Sequence, residues 1–163
     1  MTKRTGEGAM PGDPTARDIV ERVIRVDQAG EYGAIRIYEG QLAALRATGR
    51  ANGETARKIE HMLRQERRHN EVFDKLLVER RVRPTALQPL WSVAGFALGA
   101  ATALLGDRAA MACTVAVEET IDQHYAAQRD QLGDGGAGLR ESVESCRKEE
   151  LAHRVGALAC GLQ

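Results

Sequence analysis

Two of the four histidines in this 163-residue chain have a glutamate three positions earlier. The two pairs are Glu66-x-x-His69 and Glu150-x-x-His153. Residues three apart on an α-helix lie on the same face, so each pair presents a carboxylate and an imidazole in one direction. A helical Glu-x-x-His is a metal-binding motif of helix bundles, and the two pairs therefore indicate metal chemistry.

Both pairs interrupt apolar repeats, where charged side chains are unusual. Glu66 and His69 continue an apolar series with steps of three and four residues, and Glu150 and His153 do the same in the last predicted helix. Such series mark the face of a helix that is turned towards the core. The four side chains are therefore predicted to point into the protein.

A carboxylate also falls on the apolar face of each of the two remaining helices. In the first helix it is Glu31, for which an ion pair with Arg25 or Arg36 is the alternative. In the third predicted helix the phase favours Glu118, but Glu119 lies only about 100° further around the helix. Periodicity alone leaves that choice open.

Buried carboxylates need compensating positive charge, because an unpaired buried charge is very unfavourable. Two divalent ions would balance four carboxylates, and two neutral imidazoles would add donors without changing the charge. A Glu from each of two helices and Glu-x-x-His from each of two others is the arrangement of di-iron carboxylate bundles. Such oxygen-rich ligation suits iron or manganese better than zinc. We therefore expect two iron ions per chain, with the ligands Glu31, Glu66, His69, Glu118, Glu150 and His153.

The elements that must position these ligands are helices. Ala, Leu, Arg and Glu dominate the composition, and Thr15 is a candidate N-cap with Asp18 three residues on. Residues 1–15 are expected to form a flexible N-terminal tail and residues 16–163 one di-iron domain. The four predicted helices run to about Ala47, from Glu54 to Arg81, from Asp107 to Leu132, and from Leu139 to the C-terminus.

An uncharged segment lies between Arg83 and Asp107. Its apolar part, Leu90 to Leu105, is interpreted as a membrane-contacting helix or hairpin, with a buried core helix and a full membrane span as alternatives. Gly95 and Gly99 form a G-x-x-x-G motif, which allows close packing on a neighbouring helix or on a second protomer.

The overall charge and the cysteines argue against several other classes of protein. Lys and Arg together number 23, as do Asp and Glu, and aromatic residues make up only 4% of the chain, so a nucleic-acid partner is disfavoured. The three cysteines form no C-x-x-C pair, which argues against a disulfide framework and against a rubredoxin-type site. The N-terminus resembles neither a secretory signal nor a transit peptide.

Three stretches of the chain resemble the demethoxyubiquinone hydroxylase family, the Coq7 proteins of ubiquinone biosynthesis. The stretches are RVIRVDQAGEYGAIRIYEGQL, RVRPTALQPLWSVAGFALGAATALLG and MACTVAVEETIDQHY. The resemblance runs from about Ile19 to about Gly156. It implies an all-α, ferritin-like four-helix bundle with an additional apolar helix or hairpin between helices two and three.

The resemblance also assigns roles to individual residues. It matches Glu118 rather than Glu119 to the single-glutamate helix, and it pairs His124 and Tyr125 with a His-Tyr pair that forms hydrogen bonds near the metal site. In sites of this kind one metal is bound by Glu31 and His69. The other is bound by the remaining single glutamate and histidine, and the ligands expected to bridge the metals are Glu66 and Glu150.

The implied activity is 3-demethoxyubiquinol 3-hydroxylation by an O2-dependent di-iron monooxygenase, with two electrons from NADH or from the quinol itself. Because the substrate is a polyprenyl quinol, contact of Leu90 to Leu105 with a membrane is favoured, and we expect peripheral attachment to the cytoplasmic face of the inner cell membrane. A homo-oligomer and a lipid-presenting helper protein are further expected partners. The alternative function is an iron-storage or ferroxidase bundle, against which the uncharged segment argues.

Two departures from the family pattern bear on these expectations. Gln28 stands where the family commonly has His, three residues before Glu31, and is expected to tune the site rather than to bind metal. The chain ends at Gln163, where the family usually continues into another helix, so a shortened lipid-docking surface is expected.

Overall fold

The computed structural model describes residues 12–132, 138–141 and 143–148, and every regular element in these ranges is helical. The predicted all-α bundle with an additional apolar helix is thereby confirmed. Residues 138–141 and 143–148 are helical and are called the C-terminal segment below. The four long helices are α1 (Ala16–Ala47), α2 (Glu54–Arg80), α3 (Gln88–Leu104) and α4 (Asp107–Gln131).

The ends of α1 and α2 follow from local chemistry. Thr15 and Asp18 form the expected capping box, in which each side chain accepts a hydrogen bond from the other residue's backbone N–H. Helix α2 ends one residue earlier than predicted, because Arg81 adopts a left-handed conformation with φ 55°. Residues 12–15 are not helical, and the rest of the predicted tail lies outside the described residues.

Helices α1 and α4 run antiparallel. The Gln41 side chain near the end of α1 donates a hydrogen bond of 3.0 Å to the carbonyl oxygen of Ala110 near the start of α4. Further back along α1, Tyr38 donates to Glu118, and Glu31 accepts from Tyr125 near the end of α4. This pairing brings the acidic residues of the two helices to neighbouring levels of the bundle.

The apolar core consists of two clusters with a polar layer between them. The first cluster contains the second half of α1 and the first half of α2, including Leu45 and Ile59. The second contains Ile24 of α1, Phe73 of α2 and the C-terminal segment. In both α1 and α2 the charged residues of the predicted site fall between the two clusters.

Helix α3 lies against α1 of the same chain at backbone-to-backbone distance. A Cβ atom added to Gly99 would lie 1.9 Å from the carbonyl oxygen of Ile37, and one added to Gly40 would lie 2.1 Å from that of Phe96. The close approach predicted for Gly95 and Gly99 is therefore made to a neighbouring helix of the same chain.

The outer side of α3 is exposed and apolar. Only Gly99 and Ala103 of this helix are buried, whereas Leu90, Val93 and Leu104 are each at least 60% exposed. The alternative of a buried core helix is therefore wrong. Among the described residues, no helix combines the length and the apolar character needed to cross a membrane.

Candidate metal centre

Three of the predicted ligands meet in the polar layer between the two apolar clusters. Glu31 comes from α1, and Glu66 and His69 come from adjacent turns of α2. One ligand atom of each residue lies within 4.8 Å of those of the other two. The Nδ1 atom of His69 is 3.7 Å from an oxygen of Glu31 and 3.7 Å from an oxygen of Glu66. This spacing suits donors arranged around one cation.

Burial of these groups supports a bound cation. Glu31 and Glu66 are fully buried and His69 is 4% exposed, so their charges are far from bulk water. Two carboxylates this close repel each other unless positive charge or protons lie between them. Two carboxylates and one imidazole are donors that iron and manganese accept, so the residues present fit the predicted metal.

Tyr125 fixes the position of Glu31. Its hydroxyl donates a hydrogen bond to a Glu31 oxygen, and its ring stacks on Phe73 with the centroids 6.3 Å apart. Burial raises the pKa of Tyr125 well above its usual value, and the negative charge of Glu31 raises it further. The phenol therefore keeps its proton and acts as a hydrogen-bond donor to the carboxylate, which is the position expected for Tyr125.

Glu118 is buried on the inner face of α4, where Tyr38 donates a hydrogen bond to it. It is not part of the group formed by Glu31, Glu66 and His69. Its neighbour Glu119 is exposed, so the structure places Glu118 and not Glu119 inside the bundle. Tyr38 lies seven residues after Glu31, on the same face of α1, but nothing in the sequence marks it as the partner of a site carboxylate.

The remaining two predicted ligands, Glu150 and His153, lie outside the described residues. The complete six-residue ligand set, and the division of the ligands between two metals, therefore stay predictions.

The competing ion pairs for Glu31 are not formed. Arg36 pairs with Glu39 and stacks on the Phe96 ring, with 5.1 Å between the guanidinium carbon and the ring centroid. Arg25 donates a hydrogen bond of 2.8 Å to the carbonyl oxygen of Arg83. Both arginines thus hold α1 to α3 and to the linker that precedes it.

Two buried polar residues lie one turn before Glu31. Gln28 donates a hydrogen bond of 3.1 Å to Asp74 of α2, so it joins two helices. Burial raises the pKa of Asp27 to about 7, and a hydrogen bond with Gln128 of α4 partly offsets this increase. Asp27 lies four residues before Glu31 and therefore on the same face of α1, which is the local signal for its burial.

A large groove runs along the α1–α4 pair and is also lined by α3. We call it the α1–α4 groove; its lining includes Gly30, Gly33 and Ile37 of α1, Val117 and Ile121 of α4, and Leu98 of α3. Its volume is about 920 Å³, and its walls are mainly apolar. His124, expected beside the metal site, is exposed and lines this groove instead.

Comparisons with known proteins agree with the geometry. Residues 18–163 match the family described as "Ubiquinone biosynthesis protein COQ7". The chain belongs to the COQ7 family. It is 55% identical over 152 residues to the 3-demethoxyubiquinol 3-hydroxylase of Rhodospirillum rubrum, covering 93% of this chain and 70% of that protein.

Mitochondrial members of the COQ7 family are also similar. The chain is 48% identical over 154 residues to the NADPH-dependent 3-demethoxyubiquinone 3-hydroxylase of Homo sapiens, covering 92% of this chain and 69% of that protein. It is 42% identical over 149 residues to the 5-demethoxyubiquinone hydroxylase of Saccharomyces cerevisiae, covering 82% and 63%. The family expected from the sequence motifs is thereby confirmed.

Proposed function

We propose that this protein is a 3-demethoxyubiquinol 3-hydroxylase that uses a di-iron centre, O2 and two electrons. The observation that carries the proposal is the buried group of Glu31, Glu66 and His69 in a chain of the COQ7 family. Iron bound by these residues would supply the activation of O2 needed to place one oxygen atom on the quinol ring. The other two helices would contribute Glu118, Glu150 and His153.

The protein's own residues provide positioning and exclusion of water. Tyr125 holds one Glu31 oxygen through its hydrogen bond, which orients the other oxygen towards Glu66 and His69. The two apolar clusters close the polar layer from both ends of the bundle. A dry, preorganised site strengthens electrostatic interactions with a reacting group and limits side reactions.

The α1–α4 groove is the proposed binding site for the polyprenyl quinol. Its volume of about 920 Å³ and apolar walls suit a benzoquinol ring with part of an isoprenoid tail. The groove extends from Gly30, next to Glu31 in sequence, to Leu98 on α3. A tail leaving at that end would pass the exposed apolar side chains of α3.

The exposed apolar side of α3 also supports attachment of the protein to a membrane. Leu90, Trp91 and Val93 are exposed by 60%, 49% and 70%, which is unusual for a surface that faces only water. We propose that this surface lies on the cytoplasmic face of the inner membrane and draws substrate from the bilayer. A homo-oligomer or a lipid-presenting helper protein would use the same apolar surface.

The source of electrons is part of the proposal. NADH or the quinol itself is the donor expected from the sequence, and the names of several mitochondrial relatives specify NADPH. Assays with NADH, with NADPH and with prereduced quinol alone separate these donors.

The proposal is tested by loading the full chain with Fe(II) under anaerobic conditions and adding demethoxyubiquinol, a reductant and O2. We expect about two iron ions per chain and a product one oxygen atom heavier, detected by mass spectrometry. E66A is expected to lose iron and product together, whereas E119A, a change at an exposed position of α4, keeps both. Iron accumulation far beyond two per chain without product would instead support the storage alternative.

A further inference from the structure

Gly30 and Gly33 lie in the middle of α1, and no contact with a described atom requires either of them to be glycine. A Cβ atom added to Gly30 or to Gly33 would have no described atom within 4 Å. Both residues lie well inside the 32-residue helix α1, where glycine is less favourable than alanine because it loses more backbone entropy on folding.

Gly40 and Gly99 differ from these two glycines because an added Cβ atom would clash with a neighbouring helix. At Gly40 and Gly99 an added Cβ would lie 2.1 Å and 1.9 Å from a backbone oxygen of the neighbouring helix, so contact between α1 and α3 explains them. At Gly30 and Gly33 the same atom would project into the α1–α4 groove. The absence of side chains there keeps the groove open, since no described atom of another helix would meet the added Cβ atoms.

The position of the two glycines relates the groove to the metal centre. Gly30 precedes Glu31, while Ala34 and Ile121, which also line the groove, follow Glu31 and Glu118 by three residues and so share their helix faces. The groove therefore borders the layer that holds these carboxylates. Arg25 and His124 line the groove where α1 starts and α4 ends. Ile37 and Cys113 line it further along the same antiparallel pair. The groove is therefore polar at one end and apolar along the rest.

A polar end and an apolar remainder match a quinol with an isoprenoid tail. We infer that Gly30 and Gly33 are specificity-determining residues, whose missing side chains let the flat face of the quinol ring lie against the α1 backbone beside Glu31. This inference rests on the proposed function and specifies where the ring binds. A single methyl group on this surface lifts the ring away from the helix, and one methylene in an apolar site changes recognition by about 10- to 200-fold.

Tryptophan fluorescence can report contact between a quinone ring and the α1–α4 groove. Trp91 is the only tryptophan of the chain, it lines the groove, and quinones quench tryptophan fluorescence. The metal-free full chain is titrated in detergent with a demethoxyubiquinone that carries two isoprenoid units. We expect saturable quenching in the wild type and a dissociation constant raised at least tenfold in both G30A and G33A.

The control variant is A112L, which adds a larger side chain at an exposed position of α4 that does not line the groove. Its dissociation constant is expected to stay within twofold of the wild-type value. Because alanine suits a helix better than glycine, the melting temperatures of G30A and G33A are expected to rise by about 2–4 °C.

Any one of three results would overturn the inference. Quinone affinity within twofold of wild type in both glycine variants, or no saturable quenching in the wild type, would show that the ring does not lie on this surface. A melting temperature lowered by several degrees would show that the glycines serve the fold. None of these results depends on turnover, so failure of the proposed hydroxylation is detected separately in the iron-loaded assay.

Discussion

Tyr125 connects the candidate metal centre to the second apolar cluster, which contains Phe73. The Y125F variant keeps the ring on Phe73 but removes the hydrogen bond to Glu31. Loss of a hydrogen bond that orients a metal ligand typically lowers metal affinity or activity by about 10- to 100-fold. We therefore expect the affinity for Fe(II) to fall by that range, measured by competition with a chelator.

The matched control for Y125F is Y32F. Tyr32 lies on α1 and, like Tyr125, donates a side-chain hydrogen bond, but to Ser92 of α3 at 3.3 Å. Its loss should leave Fe(II) affinity unchanged. Equal affinities in Y125F and wild type would contradict the role given to Tyr125.

Asp27 makes the stability of the metal-free protein depend on pH. Its pKa is about 7 in the folded chain, because burial disfavours the charged form, and 3.8 is its ordinary value. The folded state therefore binds the proton more tightly, and the free energy of unfolding decreases as pH rises from about 4 to about 7. The decrease attributable to Asp27 is at most about 4 kcal/mol.

Urea denaturation at pH 4.5, 5.5, 6.5 and 7.5 measures this dependence. D27N removes the titrating group at nearly constant size, so its stability is expected to vary less over this range than that of the wild type. The same pH profile in both proteins would rule out Asp27 as its source.

At the level of the helices, close contact between α1 and α3 requires glycine at positions 40 and 99, where any side chain would clash. G99A places a methyl carbon 1.9 Å from the Ile37 carbonyl oxygen, so the two backbones must separate. Overpacking of this kind costs about 1–3 kcal/mol of unfolding free energy. We expect a lower urea midpoint for G99A, while A97S, which adds one atom at an exposed position of the same helix, should match the wild type.

The helices were largely predictable because their signals are local. The capping box at Thr15 and Asp18 and the apolar repeats around Glu31 and Glu66 depend on residues within a few turns of each other. The choice of Glu118 over Glu119 needed the family resemblance, and the burial of Glu118 in the structure agrees with it.

Relations between helices were less accessible to sequence reasoning. The hydrogen bond from Tyr38 to Glu118 joins residues 80 positions apart, and no local pattern indicates it. The same holds for the groove, whose lining is drawn from three helices. The family resemblance placed both His124 and Tyr125 near the metal site, but adjacent helical residues point about 100° apart, and only Tyr125 is turned inward.

For the whole molecule, the exposed side of α3 predicts binding to lipid. Replacing Leu90 and Val93 together by serine removes two exposed apolar side chains, each worth about 1.5–3 kcal/mol when fully buried. We expect the double variant to partition into liposomes of phosphatidylcholine and phosphatidylglycerol at least tenfold more weakly than the wild type, measured by flotation.

A matched control for lipid binding lies on the neighbouring helix. Val78 of α2 is 79% exposed, and V78S should leave flotation unchanged because this residue is not on the apolar side of α3. Equal flotation of the double variant and the wild type would exclude α3 as the lipid-binding surface.

We propose above all that iron held by Glu31, Glu66 and His69, with the further predicted ligands, would supply the chemistry by which one oxygen atom of O2 is placed on a quinol ring. This proposal is tested most directly by incubating the iron-loaded protein with demethoxyubiquinol under ¹⁸O2 and measuring the mass of the product by mass spectrometry. We expect one ¹⁸O atom in the new hydroxyl group. A product containing only ¹⁶O, or no hydroxylated product from fully iron-loaded protein, would contradict it.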